Sequence, residues 1–273
     1  MESLLRTALL LACAAALGAA AGALLADATG AAWGAPAGLL LGLLALAAAG
    51  PLLLHLHGAR RVDESAAPQL VRTVHELALR AGVAPPAVHL IDDDAPIALT
   101  TGGWPPRAAI ALSTGLLALL SERELRAAIG HELAHIRRGD VHMVGFAAAL
   151  SGALVALALA AIAGDTLDTD DAAANAWTGW PLLLLAALPL RLAAGRAREF
   201  DADRLGARIS GDARALADAL FKIERAAMRR PPPRYPQAAM LLIVAPRAAA
   251  GWRRWLTGHP PTAERIARLR AAS

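Results

Sequence analysis

Apolar residues fall along this chain in four long runs, separated by stretches in which they recur at helical or strand spacing. The runs span about Leu4–Ala26, Ala35–Leu56, Val141–Ala163 and Ala176–Ala194. Each approaches the ~20 residues that a helix needs to cross a bilayer, and the pattern predicts four transmembrane helices. Arg191 and two prolines interrupt the end of the fourth. The first run has small residues near its end, as a cleaved signal peptide would, but it is long for that role and a second run follows at once. A membrane helix is therefore the preferred reading.

Between runs two and three the pattern shortens. Leu70, Val71, Val74, Leu77 and Ala78 share one side of Pro68–Arg80, which predicts an amphipathic helix. Ala87–Ile91 reads as a strand, followed by an acidic turn at Asp92, Asp93 and Asp94. A loop over residues 102–106 and a second strand from Arg107 come next. Ser121 and Glu124 then fit a Ser-x-x-Glu capping box. With Leu125, Ala128 and Ile129 on its apolar side, a helix runs from about Ser121 to Arg138. After run four come a helix through Phe200 and Ile209, another near Asp212–Met228, and a proline-rich breaker at Arg229–Pro236. A last helix spans Thr262–Leu269.

Neither polar stretch is large enough to hold a generous core alone, so both are expected to pack into one domain. The predicted layout has two transmembrane helices in 1–58 and the first part of the soluble domain in 59–140. Transmembrane helices three and four, with an acidic loop between them, fill 141–195, and the rest of the soluble domain fills 196–273. The fold class is α+β, mostly helical, in an integral membrane protein.

Composition agrees with membrane segments: 56% of the 273 residues are hydrophobic and only 4% aromatic. The net charge of +4 comes from clustered arginines, with a single lysine at Lys222. No aromatics interleave them, so the basic balance points to a lipid bilayer as partner and not to nucleic acid. The connections Leu25–Pro36 and Gly164–Trp180 carry no Lys or Arg, and the second holds Asp165, Asp168, Asp170 and Asp171. The other flanks carry Arg6, Arg60 and Arg61, Arg137 and Arg138, and Arg196 and Arg198. By the positive-inside rule these basic flanks are cytoplasmic and the acidic loop faces out. Trp33, Trp177 and Trp180 fit the outer interface. Cys13, the lone cysteine, permits no disulfide within the chain.

The chemistry sits in His131-Glu132-Leu133-Ala134-His135. Histidines four apart project from one helical face and can reach a single zinc ion. Glu132 then points toward the open side of the ion, where it can take a proton from water. A catalytic zinc takes three protein ligands, so a third carboxylate or histidine must come from elsewhere on the same membrane side. Glu199 and Asp203 are four apart on the helix after run four. One can bind metal while the other holds a ligating histidine; the assignment made here is Glu199 on zinc and Asp203 on His131, with Asp201 pointing away into solvent. The competing reading is a charged helix face paired with Arg198 and Arg204.

GHELAHIRRGD, two apolar runs, REFDADRLGA and then GHPPTAERIARL occur in that order. From about Arg60 onward the chain resembles the HtpX-type heat-shock membrane zinc endopeptidases, relatives of the prenyl-protein endopeptidase. The resemblance implies a thermolysin-like zincin fold at the cytoplasmic face of the bacterial inner membrane. It implies one Zn2+ on His131, His135 and Glu199, with Glu132 as general base. It also implies quality control, with unfolded or misassembled membrane proteins as substrates. One departure stands out: where the family has an Asn-Ala-Phe-like sequence before its substrate-holding edge strand, this chain has Pro96-Ile97-Ala98-Leu99-Thr100-Thr101-Gly102. That bears on substrate preference more than on catalysis. Substrate backbone is expected to lie along the strand Arg107–Ser113 by strand addition.

His259 either approaches the site to stabilise an oxyanion or caps the last helix. His55, His57, His75, His89 and His142 have no spacing that argues for metal. Two other functions remain open at this point. One is a non-enzymatic membrane scaffold or sensor with a closed structural zinc site, which would need His259 or Asp203 as a fourth ligand. The other is a narrow-specificity processing protease.

Overall fold

The computed structural model describes residues 2–102, 108–140, 196–229 and 260–272. The third and fourth apolar runs, His259 and most of the proline-rich breaker lie outside these residues. The chain divides into two compact units. One runs from the N-terminus to Ala47; the other begins at Ala48 and holds the remaining described residues up to Asp140 and from Arg196 onward.

The first unit is built from α1, which is helical over Glu2–Leu56. A straight helix of that length would extend roughly 80 Å and hold Gly18 and Gly34 about 24 Å apart. Instead their backbones touch, and Gly22 touches Gly30 in the same way. The helical chain therefore folds back on itself between Gly22 and Gly30. Leu10 and Ala14 pack with Ala45 and Leu46, continuing the antiparallel pairing. Glycine permits this because a Cβ at Gly18 would overlap the Gly34 carbonyl oxygen. The connection expected at Leu25–Pro36 is thus shorter. Ala28–Leu56 is one helix, long and apolar enough to cross a membrane.

The second unit joins a four-stranded sheet to six helices among the described residues, besides the last turns of α1. β1 (Arg60–Val62), β2 (Ala87–Ile91), β3 (Ala98–Thr101) and β4 (Ala109–Ser113) align in the order β1-β2-β4-β3. β2 and β4 are parallel, and the outer pairs are antiparallel, with Ala98 opposite Leu112 and Thr101 opposite Ala109. This corrects one expectation. The strand that follows Arg107 is interior and hydrogen-bonded on both sides, so it has no free edge to receive a peptide. The edge nearest the catalytic helix is β3, whose four short residues gave no strand signal of their own. Ser113 holds the approach to β3: its hydroxyl accepts from Ile97 N at 2.8 Å and donates to Ala95 O at 2.5 Å.

α2 (Pro68–Ala81) opens with Pro68 in its first turn and closes on Gly82 at φ 66°, a left-handed cap. α3 (Thr114–Leu119) is capped by Ser113, which accepts from Leu116 N. α4 (Glu122–Arg138) begins at the expected box: Glu124 Oε2 accepts from both the Ser121 N–H and its hydroxyl at 2.8 Å. Acidic Glu122 and Glu124 at its start and Arg137 and Arg138 at its end complement the helix dipole. α5 (Arg196–Ser210), α6 (Ala213–Met228) and α7 (Thr262–Ala271) complete the unit. α4 is the central helix, with Ala127, Ala128, Ile129, Leu133 and Ala134 fully buried among side chains of α2, β4, α5 and α6. Each such Ile or Leu contributes roughly 1.5–3 kcal/mol by burial.

Candidate metal centre and catalytic site

The site lies where α4 crosses α5. The crossing is close because both helices carry glycine there: a methyl group on Gly206 would stand 2.7 Å from the backbone N and Cα of His131, and one on Gly130 would stand 2.7 Å from the Gly206 carbonyl oxygen. Backbone-to-backbone approach brings the first turns of α5 against the last turns of α4. Side chains of Glu199 and Asp203 then reach the His131 ring.

The Nε2 atoms of His131 and His135 lie 3.2 Å apart. Glu199 Oε2 is 3.9 Å from the first and Oε1 is 3.7 Å from the second. Metal-ligand atoms of these three residues all fall within 4.8 Å of one another. Asp203 faces the other side of the His131 ring, with Oδ1 3.0 Å from Nδ1. Asp140 Oδ2 does the same for His135 at 3.4 Å. With a carboxylate at each Nδ1, the ring protons belong on Nδ1, and the two Nε2 lone pairs face each other. That juxtaposition is repulsive unless a cation sits between them and Glu199. The donor set therefore fits a metal ion, and two imidazoles with one carboxylate suit zinc.

Glu132 is 2% exposed, which leaves its carboxylate out of bulk water. Thr100 of β3 donates its hydroxyl to Glu132 Oε2 at 2.5 Å. The edge strand is thereby tied to the carboxylate beside the candidate metal donors.

Spacing had not signalled three residues here. Arg265 of α7 is fully buried and donates to Asp203 Oδ2 through Nε at 2.8 Å and to Oδ1 through Nη2 at 2.6 Å. Its Nη1 lies 3.5 Å from Glu199 Oε2. Burial pushes the Asp203 carboxyl up, but Arg265 and His131 outweigh it and hold the group down at about 2. Asp140, the second, also pairs with Arg138 at 3.1 Å and Arg198 at 3.7 Å. Burial would lower the His135 pKa, yet Asp140, Glu199 and Glu132 together raise it. Thr100 is the third. Each sits in a stretch singled out in the sequence: Asp140 ends GHELAHIRRGD five residues after His135, Arg265 lies within GHPPTAERIARL, and Thr100 lies within Pro96–Gly102; their distance along the chain hid which partners they meet.

Asp201 is half-exposed but not merely solvated: it pairs with Arg138 at 3.0 Å and with Arg204 at 2.5 Å. His259 is outside the described residues, and α7 begins shortly after it.

A helix-borne pair of imidazoles, one carboxylate as the third donor and another carboxylate at hand are the groups of a metal-dependent peptide hydrolase. Comparison with known proteins makes this specific. Residues 64–273 match the model of peptidase family M48, and the chain belongs to that family. It is 43% identical over 224 residues to a protease HtpX homolog of Paraburkholderia phytofirmans, covering 80% of this chain and 79% of the relative. It is 40% identical over 277 residues to that of Methylibium petroleiphilum, covering 99% and 98%. Its fold is shared with S. mikatae Ste24p at a TM-score of 0.52 and 16% identity, over 84% of this chain and 56% of that one. The enzyme is a metalloendopeptidase.

Proposed function

We propose that this enzyme is a multi-span membrane protease with one zinc ion on His131, His135 and Glu199. It hydrolyses peptide bonds of damaged or misassembled membrane proteins at the cytoplasmic face of the bacterial inner membrane. The supporting observation is the convergence of the three donor sets within 4.8 Å beside the buried Glu132. Four membrane helices and a thermolysin-like catalytic unit belong to the same reading, supported by the four apolar runs and by the α4–α5 crossing next to a sheet edge.

Zinc bound there would supply Lewis acidity, polarising the scissile carbonyl and acidifying water. Glu132 accepts the proton of the attacking water and delivers it to the leaving amine. Thr100 orients the Glu132 carboxylate through its hydroxyl. Asp203 and Asp140 fix the two imidazole tautomers, and Arg265 holds Asp203 in place. The substrate backbone adds to β3, whose outer edge is unpaired among the described residues. His259 is proposed to stabilise the developing oxyanion.

A closed structural site is disfavoured. Asp203, one of its two candidate fourth ligands, is turned to Nδ1 of His131 and engaged by Arg265. The test is cleavage of casein by detergent-purified enzyme, prepared with a chelator and assayed with and without zinc beside Glu132→Gln. Zinc-dependent cleavage absent from the variant is expected. No cleavage, with one chelator-resistant zinc per chain, would refute the proposal in favour of the scaffold.

A further inference from the structure

β3 is an edge strand buried on both faces. Residues 98 and 100 face the catalytic helix: Ala98 joins the core around α4, and Thr100 reaches Glu132. Residues 99 and 101 face the last turns of α1. Leu99 shares a buried cluster with Leu53, and a side chain at Gly50 would overlap the Gly102 carbonyl and come 3.3 Å from Thr101 Oγ1. Gly50 thus lets the helix lie directly on the end of the strand. The seam is backbone against backbone and lies wholly within the second unit.

Gly50 belongs to the apolar stretch Ala28–Leu56. His55 is the first polar residue after it, five positions on, or about 7.5 Å along a helix; Arg60 and Arg61 follow. Gly102 is two residues beyond Thr100, about 7 Å along a strand. The carboxylate of Glu132 is therefore tied to a strand whose end touches α1 inside its apolar stretch. Resting on the membrane-protease reading above, this fixes where a substrate can be cut. We propose that the enzyme selects juxtamembrane segments: bonds close to where a substrate's own span leaves the bilayer, since each extended residue adds only ~3.4 Å of reach. A chain paired along Ala98–Thr101 has to lie at the level of the last turns of α1, which is the bilayer surface. Residues farther from a span must bend back to that surface and pay loop-closure entropy to do so.

The experiment uses full-length enzyme in proteoliposomes with a single-span reporter. Four identical ten-residue cleavable units follow the reporter span on the face that carries the catalytic unit. Cut positions are mapped by mass spectrometry, with Glu132→Gln in parallel. The unit next to the span should be cut at least about tenfold more often than the fourth. Gly50→Val, which wedges a side chain between helix and strand, should lower cutting of that first unit about fivefold or more while zinc stays bound. An even spread over the four units that vanishes in Glu132→Gln would overturn this inference alone. Cutting that persists in Glu132→Gln would overturn the peptidase reading, and the inference with it.

Discussion

Two regions of this enzyme bring helices together through glycine, and they do so for different ends. In the N-terminal hairpin, Gly18, Gly22, Gly30, Gly34 and Gly38 let backbones touch while Trp33, Leu40, Leu41 and Leu44 point outward, more than half exposed. Its described buried core is little more than Leu10 and Ala14. At the α4–α5 crossing, Gly130 and Gly206 do the same. What surrounds them is a buried set of charges: His131, Glu132, Glu199, Asp203 and Arg265, none more than 8% exposed. The hairpin is apolar on its outside, the reverse of a water-soluble helix pair, as suits lipid contact. The crossing is polar on its inside, which is costly unless every charge has a partner or a metal. Close packing alone thus says little about function; the chemistry of what is packed around the glycines decides it.

Breaking the crossing should have the larger consequences. Glu132→Gln is expected to lower kcat by about 10²–10⁴-fold with zinc content and melting temperature unchanged, checked by peptide hydrolysis and metal analysis. Arg265→Met leaves Asp203 buried without its cation. A loss of roughly 3–5 kcal/mol is expected in denaturant unfolding, and a wild-type midpoint would refute the ion-pair account. Asp140→Asn frees the Nδ1 side of His135, and chelator competition should register a fall of about 10–100-fold in zinc affinity. In the hairpin, Gly34→Leu overpacks the seam. Thermal stability in detergent should drop by about 1–3 kcal/mol while the turnover of the remaining folded enzyme is unchanged.

The smallest effect lies at the start of α4. Burial raises the Glu124 carboxyl, but Lys222 at 2.7 Å and the Ser121 hydrogen bonds outweigh it and lower its pKa. A depressed carboxylate pKa gives stability that is present above the unfolded value of about 4.3 and lost as pH falls through the folded value. Glu124→Gln should therefore melt lower than the parent enzyme at neutral pH, by about 1 kcal/mol or less. The two melting curves should converge below pH ~4. A gap that persists in acid would assign the effect to packing.

Much of the architecture was legible because its signals are local. The Ser121–Glu124 box, the apolar side of α2, the Ala87–Ile91 strand and the starts and ends of α4 and α6 follow from residues within a turn or two of each other. β3 was not legible, because four residues set between prolines and glycines have no periodicity to read; they become a strand only by pairing with β4. The same pairing puts the free sheet edge, among the described residues, on β3 and not on Arg107–Ser113. The length of the connection in α1 was misjudged because Pro36 and the glycines read as a linker, whereas glycine contacts across the hairpin allow the helix to start at Ala28.

At the site, sequence by itself determined which side chains share a face: i, i+4 geometry puts His131 and His135 on one face and Glu199 and Asp203 on another, whatever the rest of the chain does. Tertiary structure alone decided which face meets which, through Gly130 against Gly206. It alone brought Arg265 from 62 positions away onto Asp203. It alone laid Gly50 against Gly102 beside the strand that holds Thr100. Those contacts depend on how helices cross and strands pair over long separations, and no local pattern encodes them.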